Sequence, residues 1–585
     1  MQDYLTKLFS FRKMMNLECL PNELLLKIFG YFKSIELLPS FHPLNLRFNQ
    51  LLFLHFQTCP LDLRSISKTN FDRLCRFHLP SFIDHITSIH LSNEDETPNQ
   101  PQLFLSYGAF QFIHLQSLSL YQISSTQLIN EILLGSPRLI YLNLRTCHFD
   151  DDDEQQAEIC LNTIWNCQQL QICHLNEMFI PTVTSISSSI EQLSLQNQGL
   201  ACECFIWIFE HTLALQTLQI QIRDYSDEVT FPLIFSSLTK LNLDFRGTFG
   251  NLQILLVNLP NLSKLILQIS EIYINGYQWE DLIRRSLPKL MTFRLLMHYQ
   301  FDSTININEE LDQLLQSFQT KFWLDEHRWF IQYHCDTSSR RIHLYTLPYT
   351  FSKFSPIPCD ISQSTCPIGR EYRSFNSVQR LLFNDDLIQL RFQFSKINHL
   401  ELTLPFDANI SSIIPCFDHL ISIDIVSIPH SDQFEQSIVQ LHQLLDQTIH
   451  LYSLNIDYLI LSQLSSLRTR NSSIRRLDLM LNDGHFYGLE CISLIQSFLG
   501  NQCEMLLINF EHRSTILHLI EQMPNLRALI CQCQDDQWGE STDSLFPDDE
   551  LIQWLRMHLP SHSSINRDEN EISAIRIWLS SALHF

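Results

Sequence analysis

Residues 139–144 read LIYLNL, with apolar residues at the first, fourth and sixth positions. The same spacing returns along the chain at intervals of 20 to 31 residues, in two sets separated by a longer interruption. The hexamers begin at Ile86, Leu115, Leu139, Leu170, Ile190, Leu215, Leu238, Leu262 and Leu290 in the first set, and at Ile397, Leu420, Leu451, Ile474, Cys503 and Leu526 in the second. Each interval is long enough for one return helix, so the pattern predicts stacked strand–helix units.

The alternation within each hexamer predicts which side chains face the core. Successive side chains of a strand point to opposite faces, so Leu142 and Leu144 are expected to point inward, and Tyr141 and Arg145 outward. The period and the motif resemble those of degenerate leucine-rich repeats. The resemblance implies an α/β repeat fold, in which a curved leucine-rich-repeat solenoid carries a parallel inner sheet.

The N-terminal region has a different pattern. Residues 20–29 read LPNELLLKIF, and Pro21 suits a first helical position because its missing N–H costs nothing there. The apolar residues of one helical face are Leu24, Leu25, Ile28 and Phe29. Two further short apolar helices are expected before residue 54. A segment this small rarely folds alone, so its apolar faces are expected to rest on other protein.

This segment resembles an F-box, the module by which substrate receptors dock on the Skp adaptor of cullin-based ubiquitin ligases. The opening motif Leu-Pro-x-Glu-Leu-Leu-x-x-Ile-Phe is present, and Glu36–Leu37 stands where the family has an aspartate–leucine pair. Phe48 replaces a tryptophan that the family often carries. The resemblance implies a Skp-type adaptor, and through it a cullin, as partners. The implied adaptor-binding residues are Leu20, Pro21, Glu23, Leu24, Leu25, Ile28, Phe29, Leu37 and Leu38.

These patterns divide the chain into seven segments. A β-hairpin is predicted where residues 321–349, KFWLDEHRWFIQYHCDTSSRRIHLYTLPY, interrupt the repeats with many β-forming residues. The expected segments are an N-terminal extension (1–15), a three-helix F-box (16–58), a connector (59–85), a first repeat block (86–318), the β-hairpin with a Pro-rich loop (319–378), a second repeat block (379–545) and a C-terminal cap (546–585).

Composition narrows the functional classes. The formal net charge is −24, from 39 basic and 63 acidic residues, which argues against nucleic acid or an anionic membrane as a partner. The 17 cysteines are scattered through apolar runs, which is typical of free thiols in a reducing compartment. The N-terminal residues lack the features of a signal peptide. We therefore expect a protein of the cytoplasm or nucleus.

The sequence contains no recognisable catalytic constellation. A Gly-x-Ser-x-Gly elbow, a His-Glu-x-x-His motif and a phosphate-binding Gly-rich loop are all missing. The Cys-x-Cys pairs at Cys202/Cys204 and Cys531/Cys533 lack the second half of a zinc site. We accordingly expect no enzymatic activity, no cofactor and no metal.

The remaining candidate for function is the outward face of the predicted sheet, whose mixed polar side chains suit recognition of a protein segment. The expected target-binding residues are Tyr141, Arg145, His174, Lys240, Asp244, Arg294, Glu401, Asp424, Asp457 and Arg476. The predicted function is the substrate-recognition subunit of a Skp-cullin-F-box ubiquitin ligase. One alternative is a leucine-rich-repeat scaffold with no ligase role. Another is an enzyme with a cleft of converging titratable groups near Trp329.

Overall fold

The computed structural model describes most of the chain. The described residues are 17–42, 44–108, 112–147, 154–176, 184–224, 234–367, 375–383, 392–406, 410–427, 434–457, 460, 471–480, 486, 488–536, 549–568 and 571–580. The predicted N-terminal extension lies outside them.

Short strands alternate with helices over most of the described chain. The strands are β1 Leu61–Asp62, β2 Ser88–Ser92, β3 Ser117–Tyr121, β4 Tyr141–Arg145, β5 Ile172–Asn176, β6 Gln192–Leu200, β7 Thr217–Asp224, β8 Lys240–Gly247, β9 Lys264–Ser270, β10 Thr292–Gln300, β11 Ile331–Asp336, β12 Arg341–Thr346, β13 Lys353–Phe354, β14 Ile361–Ser364, β15 Arg380–Phe383, β16 His399–Thr403, β17 Ser422–Ser427, β18 Ser453–Asn455, β19 Arg476–Asp478, β20 Met505–Phe510, β21 Ala528–Cys533, β22 Ser564–Arg567 and β23 Ala574–Trp578.

The helices lie mainly between consecutive strands. They are α1 Asn22–Phe29, α2 Ser34–Phe41, α3 Leu46–Phe56, α4 Lys68–Arg73, α5 Leu79–Phe82, α6 Gln100–Ser106, α7 Thr126–Leu134, α8 Glu154–Trp165, α9 Cys202–His211, α10 Phe249–Val257, α11 Gly276–Ser286, α12 Ile307–Ser317, α13 Ile410–Ile413, α14 Phe434–Gln447, α15 Gly488–Gln496, α16 Phe498–Gln502, α17 Ser514–Gln522 and α18 Glu550–His558.

Among the described residues the strands form two sheets, one of 13 strands and one of ten. In the first sheet β1 to β10 follow one another in chain order, and β12, β11 and β14 complete it. In the second sheet β13 and β15 to β21 follow in order, and β23 and β22 complete it. The consecutive strands are parallel, whereas the strands that complete each sheet pair antiparallel. The protein is therefore a mixed α/β structure dominated by parallel pairing.

The strands form because apolar residues alternate with polar ones. On β4, Leu142 and Leu144 are fully buried, whereas Arg145 is exposed. β8 repeats the pattern over eight residues, with Leu241, Leu243 and similar residues inside. The buried side of each strand packs on the return helices, and we call the opposite side the inner face. The observed alternation agrees with the orientation that the hexamers predict.

Polar side chains fix the starts of several return helices. The side chains of Ser125 and Thr248 accept hydrogen bonds from the backbone at the starts of α7 and α10. Asn275 and Gln278 form a reciprocal capping box at the start of α11. Such caps satisfy backbone N–H groups that have no partner within the helix. Helix starts are thus defined locally, between one strand and the next.

A β-hairpin joins the two sheets. Its strands β11 and β12 pair antiparallel, with His334 opposite His343. Leu295 on β10 packs in the core of the first sheet, whereas its neighbour Leu296 packs in the core of the second. Tyr345 on β12 also belongs to the second core. The second hydrophobic core therefore extends onto the inner face of the first sheet at its last strands.

The two ends of the described chain also meet. Trp578 on β23 is buried in the core of the first sheet, and its ring centroid lies 5.2 Å from that of Phe71 on α4. The hydroxyl groups of Thr69 and Ser580 are 3.3 Å apart. Since α4 lies between β1 and β2 at the start of the first sheet, and β23 is next to last in the second sheet, the start of the first sheet contacts the end of the second.

None of the described helices is long and apolar enough to cross a lipid bilayer.

Candidate functional site

The first candidate surface is the helical foot, which we define as helices α1 to α3. Its interior is aromatic: the ring centroid of Phe41 lies 4.9 Å from that of Phe29 and 5.4 Å from that of Phe48. Ring pairs at these distances add to the free energy gained by burying their area. The Asn45 side chain caps α3 by accepting from the backbone N–H of Phe48. The three helices thus share one core.

The structure separates the nine predicted adaptor-binding residues into two groups. Four of them are fully buried and hold the foot together: Leu25, Phe29, Leu37 and Leu38. The other five remain exposed or partly exposed at the surface: Leu20, Pro21, Glu23, Leu24 and Ile28. Only the second group is available to a partner while the foot keeps this fold.

Large apolar side chains are concentrated on the surface of the foot and its approach. Six of the 26 exposed large hydrophobic residues in the described chain lie within residues 17–46. They are Leu17, Leu24, Tyr31, Phe32, Leu44 and Leu46. Single exposed apolar residues are common on protein surfaces, but a concentration of them marks an interaction site.

Arg47 brings the two ends of this exposed set together. Its guanidinium donates to the carbonyl oxygen of Glu18 and, at 2.8 Å, to Oδ1 of Asn22. The amide of Asn45 donates to the carboxylate of Glu18 at 2.7 Å. These bonds hold the start of α3 beside the start of α1, so Leu46 lies on the same side of the foot as residues 17–22.

The second candidate surface is the inner face of the first sheet, which carries six predicted target-binding residues. Their strands run from β4 to β10, so the residues share a face but do not converge on one point. The rings of Tyr141 and His174 are neighbours, with centroids 5.5 Å apart. Arg145 and Lys240 are exposed. Arg294 donates to the carbonyl oxygen of Phe293 at 3.3 Å.

Asp244 is the acidic member of this set, and its environment is basic. Burial raises the pKa of the Asp244 carboxyl, and the nearby guanidinium groups of Arg246 and Arg223 oppose that shift. Exposed Lys264 lies on β9, next to Lys240 on β8 in the parallel register. The inner face of the first sheet therefore presents several cations, although the whole chain is acidic.

The second sheet brings two predicted residues together with a third that the prediction leaves out. Glu401 on β16 lies opposite Asp424 on β17, and His399 precedes Glu401 by two residues on the same face. Nε2 of His399 is 3.1 Å from Oδ2 of Asp424. Arg380 on β15 donates to Glu401 at 3.2 Å. One ligand atom from each of His399, Glu401 and Asp424 lies within 4.8 Å of the others.

Arg476, another predicted target-binding residue, is already engaged within the chain. Its guanidinium lies 3.1 Å from the carboxylate of Asp95, which belongs to the loop after β2 in the first sheet. The hydroxyl of Tyr452 donates to Glu96 of the same loop at 2.8 Å. Buried Arg576 donates to the carbonyl oxygen of Asn93. The loop therefore occupies part of the second sheet's inner face.

Asp457, the last predicted target-binding residue, follows β18 and is partly exposed. It does not belong to the cluster around Asp424.

The hairpin carries a cavity of about 210 Å³, and Trp329, beside which the alternative enzyme hypothesis places its cleft, is not among the residues that line it. Its walls include three histidines, and Tyr345, Tyr349 and Lys353 contribute further polar groups. His298, His343 and His334 lie at matching positions on β10, β12 and β11. The ring centroids of His298 and His343 are 4.1 Å apart. We call this site the hairpin cavity.

The histidines of the hairpin cavity are held neutral near pH 7. Burial lowers the pKa of His298 to about 4, and the positive charge of Arg246 adds to the shift. Burial also lowers the pKa of His334 to about 4. For His343, burial with His298, His334 and Arg341 nearby lowers the pKa to about 2. Nε2 of His334 is 2.8 Å from the hydroxyl of Tyr345.

Sequence reasoning missed the hairpin cavity and the loop of Asn93 to Glu96. Neither has a local motif, because both depend on residues that are far apart in the chain. The hairpin itself was predicted, but its register with β10 was not, and the register is what aligns the three histidines. The two-residue spacing of His399 and Glu401 is visible in the sequence, and on a strand it places both side chains on one face.

No family model matches the chain, and no curated protein matches it either.

Proposed function

We propose that the protein is a substrate-recognition subunit of a Skp-cullin-F-box ubiquitin ligase. In this proposal the helical foot is the F-box and binds a Skp-type adaptor, and the repeats form a leucine-rich-repeat array that holds a target protein. The chain itself carries out no chemistry. It acts by raising the effective concentration of the target beside the ubiquitin-charged enzyme. Its expected location is the cytoplasm or nucleus.

The observation that carries the proposal is the exposed apolar surface of the foot. Leu24 is 45% exposed and Leu46 is 73% exposed, although α1 and α3 have a well-packed core of their own beneath them. The opening motif at residues 20–29 supplies the resemblance, and the exposed set supplies a surface for the adaptor. Leu25, Phe29, Leu37 and Leu38 act in this proposal by shaping the foot rather than by contact.

The target surface in this proposal is the inner face of the first sheet. Tyr141, Arg145 and Lys240 are exposed or partly exposed there. The second sheet contributes less, because Arg476 is paired with Asp95 inside the chain.

The adaptor proposal is tested with the full chain and a purified Skp-type adaptor. We expect Leu24→Asp and Leu46→Asp each to weaken adaptor binding at least about tenfold, because a carboxylate cannot enter an apolar interface without losing its hydration. A matched control is Leu134→Asp, at an exposed apolar position on α7 that is 75% exposed. It should bind the adaptor as the wild type does.

Circular dichroism and thermal unfolding should show that all three variants stay folded, since each change lies at the surface. A wild-type protein that does not bind the adaptor would refute the ligase proposal and favour the scaffold alternative. Equal losses in all three variants would also contradict it, because the binding surface would then not be the foot.

A further inference from the structure

The inner face of the second sheet contains a cluster of potential metal ligands at His399, Glu401 and Asp424. His399 and Glu401 are held on one face of β16 by their two-residue spacing, and the parallel register sets Asp424 beside Glu401. Their side chains are each between a fifth and a quarter exposed. A rigid sheet thus presents one imidazole and two carboxylates toward the same space.

The contact between His399 and Asp424 is not an ordinary hydrogen bond. Nε2 of His399 is shielded from solvent and has no hydrogen-bond partner in the described chain, although Oδ2 of Asp424 is only 3.1 Å away. Two ligand atoms that bind one tetrahedral metal ion at 2.0–2.2 Å lie about 3.3–3.6 Å apart. The observed separation of 3.1 Å is slightly shorter, so only a small widening of the pair is needed to bind an ion, and a solvent-shielded nitrogen without a hydrogen bond leaves its bonding capacity unused.

The neighbouring groups define how a cation would be held. Arg380 competes with a bound cation for the carboxylate of Glu401, because it donates to that carboxylate at 3.2 Å. Ser422 donates weakly to Oδ1 of Asp424 at 3.4 Å, which leaves Oδ2 of Asp424 for another partner. The cluster carries two carboxylates, and Arg380, the cation that contacts Glu401, is exposed at the start of β15.

We propose that His399, Glu401 and Asp424 form a binding site for a divalent transition-metal ion of the zinc type. An imidazole with two carboxylates suits zinc and its first-row neighbours better than calcium or magnesium, which prefer oxygen ligands alone. Three protein ligands leave at least one coordination position for water or for a group of a bound molecule. This site is independent of adaptor binding by the foot.

The test uses the full chain and Co²⁺, whose visible absorption reports its ligands. Wild-type protein should bind one Co²⁺ at a site without thiolate, so the thiolate charge-transfer bands that cysteine ligands produce should be absent. His399→Ala and the isosteric Asp424→Asn should each weaken binding more than about tenfold, because losing a direct ligand costs more than losing an outer partner. His442→Ala should leave binding unchanged, since His442 lies on α14, where it is 3.5 Å from Asp446, and does not belong to the cluster.

Arg380→Gln separates metal binding from simple structural damage. Removing the competing guanidinium should tighten Co²⁺ binding severalfold, an effect that a damaged fold does not produce. Co²⁺ affinity that is the same in His399→Ala, Asp424→Asn and the wild type would overturn the proposal. Spectra dominated by thiolate ligation would also overturn it, because the bound metal would then be at cysteines.

Discussion

His298, His334 and His343 show how single side chains link the stability of this protein to pH. Each is neutral in the folded state near pH 7, because burial lowers the pKa of every one of them. In the unfolded chain an imidazole binds a proton below about pH 6.5. The unfolded state therefore binds more protons below that pH, and stability is lost as the pH falls from about 6.5 toward 4.

Replacing one of these histidines should reduce that pH dependence. We expect His343→Gln to change the free energy of unfolding little at pH 7. At pH 5 the variant should be more stable than the wild type by about 1–2 kcal/mol, because each proton taken up on unfolding contributes about 1.4 kcal/mol per pH unit. Urea unfolding at both pH values measures the difference. Equal pH dependence in wild type and variant would contradict the neutral state of His343 in the folded protein.

The control for this experiment is His419→Gln. His419 is exposed and does not line the hairpin cavity, so its replacement should leave unchanged the pH dependence that the cavity histidines produce.

Among the secondary-structure elements, helices α11 and α12 approach each other so closely that their backbones are in contact. Gly276 opens α11, and its backbone N–H donates to the hydroxyl of Ser317 at the end of α12 at 2.7 Å. A Cβ atom on Gly276 would lie 2.3 Å from the carbonyl oxygen of Ser317. The indole N–H of Trp323 also donates to the carbonyl oxygen of Gly276 at 3.2 Å. Glycine is needed here because two helices touch through their backbones.

Two glycine-to-alanine substitutions should therefore have opposite effects. Gly276→Ala should lower the free energy of unfolding by about 1–3 kcal/mol, since the clash with Ser317 requires a backbone shift. Gly250→Ala on α10 should raise it by about 0.4–1 kcal/mol, because its Cβ would meet no atom nearer than 3.8 Å and alanine favours the helix. Chemical denaturation measures both changes. A Gly276→Ala variant as stable as the wild type would contradict the close backbone contact between α11 and α12.

For the molecule as a whole, the decisive feature is the contact between its two ends. Trp578 is fully buried and belongs to the first core, although β23 is the last strand of the described chain. Ion pairs also connect the two sheets near this contact. Asp95, in the loop after β2, lies 3.6 Å from Arg576 and 3.1 Å from Arg476 of the second sheet. Both blocks therefore stabilise each other at this contact as well as at the hairpin.

Breaking the contact around Trp578 should change hydrogen exchange in a helix that lies far from Trp578 in the sequence. Trp578→Ala should lower the free energy of unfolding by about 3–5 kcal/mol, because a large side chain is removed from a packed core. Hydrogen exchange should accelerate at α4, where Phe71 loses its contact with the Trp578 ring.

A matched control is Trp554→Ala, at a partly buried tryptophan that packs against the second core on α18. It should leave the exchange rate of α4 nearer to the wild-type value. An unchanged exchange rate of α4 in Trp578→Ala would argue against the closed arrangement.

The mixed α/β architecture could be predicted from the sequence because its determinants are local. The hexamer around Leu142 defines a strand and its buried side, and the interval that follows it has room for one helix. The apolar face of α1 is likewise specified by ten consecutive residues, 20–29. The sequence did not distinguish the residues that can contact a partner from those that pack inside the helical foot. Leu24 and Leu25 are adjacent in one motif, yet only Leu24 is exposed.

The sequence by itself determined the repeating strand–helix units, the hairpin and the apolar helical foot, since each depends on side chains close together in the chain. Only the tertiary structure decided that the ends close, that Asp95 neutralises Arg476, and that His399 joins Glu401 and Asp424. These features arise where strands from distant segments come into register. Hydrophobic periodicity specifies which side of a strand is buried, but it carries no information about which distant charge that strand will meet.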